Sequence, residues 1–184
     1  MSDDLVLEPW TVHGSRSVYD SRWVQVSLDD VELPGGRRFE HHVVHLPRVA
    51  IAMIVDERER VLMLWRYRFA VQAWGYELLG GLVEPGEEPP RTAAREAEEE
   101  GGWRPVGEPE HLVGFEPLPG MISGRIDVYL WRAAQKVSEP SDLEEAGRLE
   151  WVDLERLAEI VARQELLGSG TWVAVLRYLS RRTR

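Results

Sequence analysis

The 184-residue chain carries 22 basic and 32 acidic side chains, a formal net charge of −10. That balance excludes non-specific binding to nucleic acid or to an anionic membrane, both of which need a basic surface. The absence of cysteine excludes thiol catalysis, disulfides and cysteine-ligated zinc. No apolar run approaches the ~20 residues of a membrane span. The first residues, "MSDDLVLEPW", lack the basic and apolar regions of a secretory signal, so one cytoplasmic domain is expected.

The first half of the chain reads as strands. Residues 17–33, "SVYDSRWVQVSLDDVEL", alternate apolar and polar side chains, Pro34-Gly35-Gly36 marks a turn, and "RFEHHVVHL" resumes extended structure. "VAIAMIV" (49–55) and "VLMLWRY" (61–67) are near-continuous apolar runs joined by the polar turn "DERER", the pattern of two buried strands. "YELLGGLV" (76–83) reads as a short strand running into glycines. A helix follows: Pro89 and Pro90 suit a first turn, "RTAAREAEEE" is rich in helix formers, and Gly101-Gly102 supplies the stop. "HLVGFEPL", "RIDVYLWRAA" and "LEWVDL" are further strands. Two helices close the chain, "LERLAEIVARQELL" and "TWVAVLRYLSRR", divided by "GSG". Strands with interspersed helices predict a mixed α/β sandwich.

In the acidic helix, Glu96, Glu99 and Glu100 stand at i, i+3 and i+4 and share one face. Like charges so spaced repel by roughly 0.2–0.5 kcal/mol per pair, and a cation would neutralise them. Hard oxygen ligands select magnesium, with manganese as a substitute. Arg95, beside this face, is placed to orient a carboxylate through paired hydrogen bonds.

The spacing goes further. Gly81, Glu87, Arg95-Glu96-Ala97, Glu99-Glu100 and Gly102-Trp103 fill every defining position of the Nudix box, and residues 15–160 resemble Nudix hydrolases of the ADP-ribose and nucleoside diphosphate sugar pyrophosphatase branch. The resemblance implies an α/β/α sandwich around a mixed sheet, with residues 1–45 forming N-terminal strands and 46–184 the catalytic domain with its C-terminal helices. It implies a divalent metal, expected to be magnesium, with Glu96, Glu99, Glu100 and the Gly80 carbonyl as ligands, and Glu87 and Arg95 as outer partners. The expected reaction is attack of water on the diphosphate of a nucleoside diphosphate sugar, ADP-ribose giving AMP and ribose 5-phosphate. Since that branch often exchanges its N-terminal strands across a dimer, a homodimer is expected. A triphosphate or dinucleotide hydrolase is the alternative enzyme. A nucleotide sensor without turnover is the alternative of another class, although such a protein would be expected to have lost box carboxylates.

This sequence departs from the branch at three places. Trp65-Arg66 stands where an Arg-Gln pair is usual, Leu79-Gly80 stands for Pro-Ala, and Gly124 occupies a position usually held by glutamate. The general base is therefore expected on the acidic loop, at Glu144 or Glu145, with Glu99 and Glu100 as the other catalytic carboxylates. Arg66, Arg68 and Glu77 are candidates for substrate contact, or for ion pairs with one another. Tyr19, Trp23 and Trp74 could stack on a nucleobase, and Gly120 shapes a loop expected beside the substrate. His41 and His45 of "HHVVH" point to one face of a strand and His42 to the other; an exposed strand face is expected there.

Overall fold

The computed structural model describes residues 8–140 and 147–182. It divides into two compact units, the first running to Pro47 and including Leu118–Gly124, the second comprising Arg48–Pro117 and the chain from Arg125 onward.

In the first unit β1 (Thr11–Asp20), β2 (Gln25–Glu32) and β3 (Arg38–His45) form an antiparallel meander. The single alternating run expected here is broken at residues 21–24, where the Ser21 hydroxyl accepts the amides of Trp23 and Val24 at 3.2 Å each and makes a side-chain turn. All ten residues of β1 are exposed, so its alternation marks no buried face within this chain. The Pro-Gly-Gly turn forms as expected, with the Gly36 amide donating to Leu33 O at 2.8 Å. A two-residue strand, β10 (Ile122–Ser123), runs parallel to β3. His41 donates through Nε2 to Gly120 O at 2.7 Å, and His45 Nε2 lies 3.0 Å from the Ser27 hydroxyl. Among the described residues these histidines belong to no metal-binding cluster.

The second unit holds a mixed sheet of β7 (Leu79–Leu82), β4 (Val49–Ile54), β11 (Ile126–Trp131) and β9 (Glu110–Phe115), in that order. The β4–β11 pair is parallel; its neighbours are antiparallel. A three-stranded antiparallel sheet joins β13 (Arg148–Val152), β5 (Val61–Arg68) and β6 (Ala73–Glu77), and β8 (Trp103–Pro105) pairs with β12 (Ala134–Lys136).

The continuous apolar runs are explained by two cores. Along β4, Ile51, Met53 and Val55 enter one core, and Ala50, Ala52 and Ile54 the other. In β5, Val61 and Met63 face the first core while Leu62 and Leu64 face the second. Each strand is buried on both faces, so no polar side is left to alternate. The first core is closed by α2 (Leu154–Ala162) and α3 (Ser169–Ser180), the second by α1 (Pro89–Gly101) through Ala93 and Ala97. This is the α/β/α layering expected.

Two boundaries differ from the expectation. The glycines after "YELL" do not end a strand: Gly80 and Gly81 lie inside β7, paired with Ile51 and Ala50. The first C-terminal helix stops at Ala162 because Gln164 adopts φ 57°, a left-handed conformation that cannot continue a helix. The chain then runs beside β6, with Glu165 O accepting the Tyr76 amide and the Leu167 amide donating back to Tyr76 O. Among the described residues no helix is long and apolar enough to cross a membrane.

Candidate active site

Helix α1 is built to end where the sequence suggests. Pro89 and Pro90 fill its first positions, and Gly102, at φ 70°, caps it with its amide donating to Glu98 O at 2.8 Å. Its Ala-lined face packs on the sheet through Ala93 and Ala97, and Glu96 and Glu100 reach β7.

The approach is close. A Cβ on Gly81 would lie 2.4 Å from Glu96 Cδ, so the strand gives up a side chain where the carboxylate stands. Glu100 reaches the next residue, its Oε2 accepting the Gly80 amide at 2.9 Å. Its Oε1 accepts from Arg66 Nη1 at 2.8 Å. Arg66 is 6% exposed and also donates through Nε to Glu77 at 2.8 Å, while Arg68 holds the same carboxylate at 2.6 Å. The two β5 arginines, Glu77 of β6 and Glu100 of α1 thus form one continuous network.

Arg95 makes a second one. It touches Glu96 and Glu99 through Nη1, each at 2.8 Å, and Glu87 through Nε and Nη2 at 3.2 Å. The buried Thr92 hydroxyl donates to Glu87 at 2.7 Å. Hydrogen bonds from Arg95 and Thr92 hold the Glu87 carboxyl down at about 2. Burial pushes the Glu96 carboxyl up, and Glu100 and Glu99 add to that against the pull of Arg95. At Glu77 burial pushes upward, but the hydrogen bonds from Arg68 and Arg66 outweigh it and the net direction is down.

Among the described residues no three acidic or histidine side chains converge as a ready metal centre; the α1 carboxylates are held by Arg66 and Arg95 instead. The donor set nevertheless fits a divalent ion. Three carboxylates share one side of a helix, hard oxygens suit magnesium or manganese, and the crowding felt by Glu96 is the kind a cation relieves.

A cleft of about 470 Å³ opens beside this network, lined by Arg66, Tyr67, Arg68, Phe69, Trp74 and Gly147. Trp74 is stacked on Trp65, ring centroids 6.3 Å apart and 15° from parallel, and remains exposed. The structure therefore brings together Gly80, Glu96, Glu99 and Glu100 with Glu87, Arg95, Arg66, Arg68 and Glu77. Tyr19, Trp23 and Gly120 belong to the other unit; Tyr19 and Trp23 are exposed, and Trp23 carries the Arg22 guanidinium 4.3 Å from its ring centroid. Glu144 and Glu145 lie outside the described residues. At Gly124 a Cβ would stand 2.9 Å from that of Leu46, so any side chain there would require the neighbouring chain to shift.

Sequence reasoning did not single out two features. Thr92 sits at an unspecified box position, and only its five-residue spacing from Glu87 hints at their bond. Asp127, 1% exposed at its side chain, gathers His111 at 2.8 Å and Arg48 at 2.6 Å, with Arg125 at 3.3 Å; its signal is a lone carboxylate inside the apolar strand "IDVYLW".

Comparison with known proteins identifies the family. Residues 44–169 match the NUDIX domain and residues 10–44 the nucleoside diphosphate sugar hydrolase N-terminal domain. The chain belongs to the Nudix family, whose hydrolases generally use a divalent metal, and it is a pyrophosphohydrolase. Among its relatives, a CMP-5'-(N-acetyl-N-hydroxy-3-aminopropyl)phosphonate hydrolase of Streptomyces rubellomurinus is 44% identical, over 92% of this chain and 82% of that protein. An ADP-ribose pyrophosphatase of Mycobacterium tuberculosis is 32% identical over 80% of this chain and 72% of its own. A crystal structure of an ADP compounds hydrolase shares the fold, with a TM-score of 0.80 and 19% identity over 95% and 94% of the two chains.

Proposed function

We propose that the protein is a magnesium-dependent hydrolase of a nucleotide whose 5′ phosphate is joined to a second phosphorus group, with ADP-ribose, split to AMP and ribose 5-phosphate, as the leading substrate. The observation that carries this reading is the placement of Glu96 against Gly81 and of Glu100 against the Gly80 amide, beside a cleft lined by arginine and aromatic side chains. Glu96, Glu99, Glu100 and the Gly80 carbonyl hold the ion, and manganese substitutes for it. When bound, the ion neutralises the diphosphate and lowers the pKa of an attacking water. Glu87 and Arg95 keep the α1 carboxylates in place. Arg68, its side chain 48% exposed, meets a substrate phosphate from the cleft wall, whereas Arg66 and Glu77 act from beneath it.

The general base is Glu144 or Glu145, three and two residues before Gly147, which borders the cleft. Tyr19, Trp23 and the Gly120 loop belong to nucleotide binding in a homodimer, with the exposed β1 available to a second copy, and the protein works in the cytoplasm. A cytidine nucleotide linked to a phosphonate is the second reading, favoured by the 44% identity to the Streptomyces hydrolase.

The test is product analysis by mass spectrometry in oxygen-18 water. The panel is ADP-ribose, other nucleotide sugars, a CMP-linked phosphonate and nucleoside triphosphates, each with magnesium and with EDTA. AMP and ribose 5-phosphate formed fastest from ADP-ribose, and abolished by EDTA, support the leading reading. Faster release of CMP replaces it with the second, and turnover undiminished by EDTA contradicts the metal dependence.

A further inference from the structure

We propose that Arg66 is a built-in cation that competes with the divalent ion for Glu100 and so sets how tightly the protein holds metal. The inference rests on the metal-site reading above and assigns Arg66 as a positioning residue.

Three observations carry it. First, Arg66 Nη1 donates to Glu100 Oε1 at 2.8 Å, while the Gly80 amide takes Oε2 at 2.9 Å, so both oxygens of this carboxylate are engaged. Each retains a lone pair, and an ion can still be accepted, but beside a positive charge already at hydrogen-bond distance. Like charges at such range repel strongly where water is scarce. Second, the guanidinium is anchored. Arg66 is buried, and its Nε is bonded to Glu77, itself 8% exposed, which tethers the guanidinium on the side away from Glu100. Third, the chain at Gly147 passes so near that a Cβ there would sit 2.8 Å from Arg66 Cβ, which confines the root of the side chain.

The consequence is that metal entering at Glu100 shares that carboxylate with Arg66 or pushes the guanidinium toward Glu77. Either way part of the binding energy is spent against a resident charge. Arg68, which touches Glu77, has no such effect.

The experiment is Mn²⁺ binding to the full chain without substrate, read by the electron paramagnetic resonance signal of free Mn²⁺. Arg66→Gln removes the charge and keeps a polar end, and its Kd for Mn²⁺ should fall on the order of tenfold. Arg68→Gln, which leaves the charge beside Glu100 in place, should stay within about twofold of the parent. A folded Arg66→Gln, verified by circular dichroism, that binds Mn²⁺ no tighter than the parent overturns the proposal. A second reading needs no charge-removing variant: the ¹⁵Nε–H resonance of Arg66, assigned by its loss in Arg66→Lys, should move with Mg²⁺ occupancy. A resonance that stays fixed while Mg²⁺ binds also overturns it. The metal-site reading fails separately, and this inference with it, if the parent itself binds no Mn²⁺; equal affinity in parent and Arg66→Gln removes this inference alone.

Discussion

The carboxylate of Glu96 stands where a side chain on Gly81 would have to be, with a Cβ there only 2.4 Å from Glu96 Cδ and 2.5 Å from Oε1. Strand β7 is bare at this point, and helix α1 uses the space to bring an acidic group onto the sheet. Burial follows from that contact, and with it the upward push on the Glu96 carboxyl.

Gly81→Ala is the direct probe of this relationship. The added methyl group meets the far end of a flexible side chain, so the helix stays packed and the carboxylate moves aside. A misplacement of about 1 Å at a reacting centre costs on the order of 100-fold in rate. Turnover should drop by that factor while the urea midpoint stays near that of the parent. Parent-like turnover would show that the position of Glu96 is not critical.

Glu87 supplies a pH signature. Its carboxyl is held at about 2 against an ordinary 4.5, so the folded state binds its proton more weakly than the unfolded chain does. The stabilisation is therefore fully present above pH 4.5 and is lost as pH falls from there through 2. Glu87→Gln should lower Tm at pH 7, and the gap to the parent should close over that acid window. A gap that is the same at pH 3 and pH 7 would remove the charged bonds to Arg95 and Thr92 as its source.

Adjacent residues of β4 test the layering. Met53 faces the core under α2 and α3, and Ile54 the core under α1; both are fully buried. Met53→Ala and Ile54→Ala should each cost about 2–5 kcal/mol in urea unfolding. A cost below about 1 kcal/mol for Ile54→Ala would mean that α1 does not cover that face.

Asp127 tests a network that lies outside the proposed chemistry. Asp127→Asn leaves Arg48 and Arg125 without their shared counter-charge, and His111 without its carboxylate partner. Because the arginines are about half exposed, the expected loss is about 1–3 kcal/mol in urea unfolding. No measurable loss would show that solvent replaces the carboxylate.

How far the sequence could be read depended on whether the information was local. Helix α1 was legible because prolines, helix formers and a terminal glycine sit within a few residues of one another, and the box spacing placed its carboxylates on one side. The strands β4 and β5 were legible as buried, since two covered faces leave an unbroken apolar run. Gly80 and Gly81 misled as a strand end: in sequence a glycine that yields space to Glu96 is indistinguishable from one that makes a turn. Gln164 likewise carries a left-handed φ on a residue type that gives no warning of it. The Arg66–Glu77 pair was legible as an alternative to substrate contact, since both lie on neighbouring strands of one hairpin; Glu100 was out of reach because it lies 34 residues from Arg66, and only the packing of α1 brings it to the same guanidinium.

If the α1 carboxylates work the hydrolysis through a bound divalent ion, Glu100→Gln must disable it. Glu100 accepts the Gly80 amide and Arg66, and glutamine keeps the shape while removing the ligand charge. With saturating magnesium and the best substrate from the panel, turnover should fall by at least on the order of 100-fold in a protein that remains folded, with weakened Mn²⁺ binding. Turnover equal to the parent at the same magnesium concentration would contradict the assignment of Glu100 to the metal site.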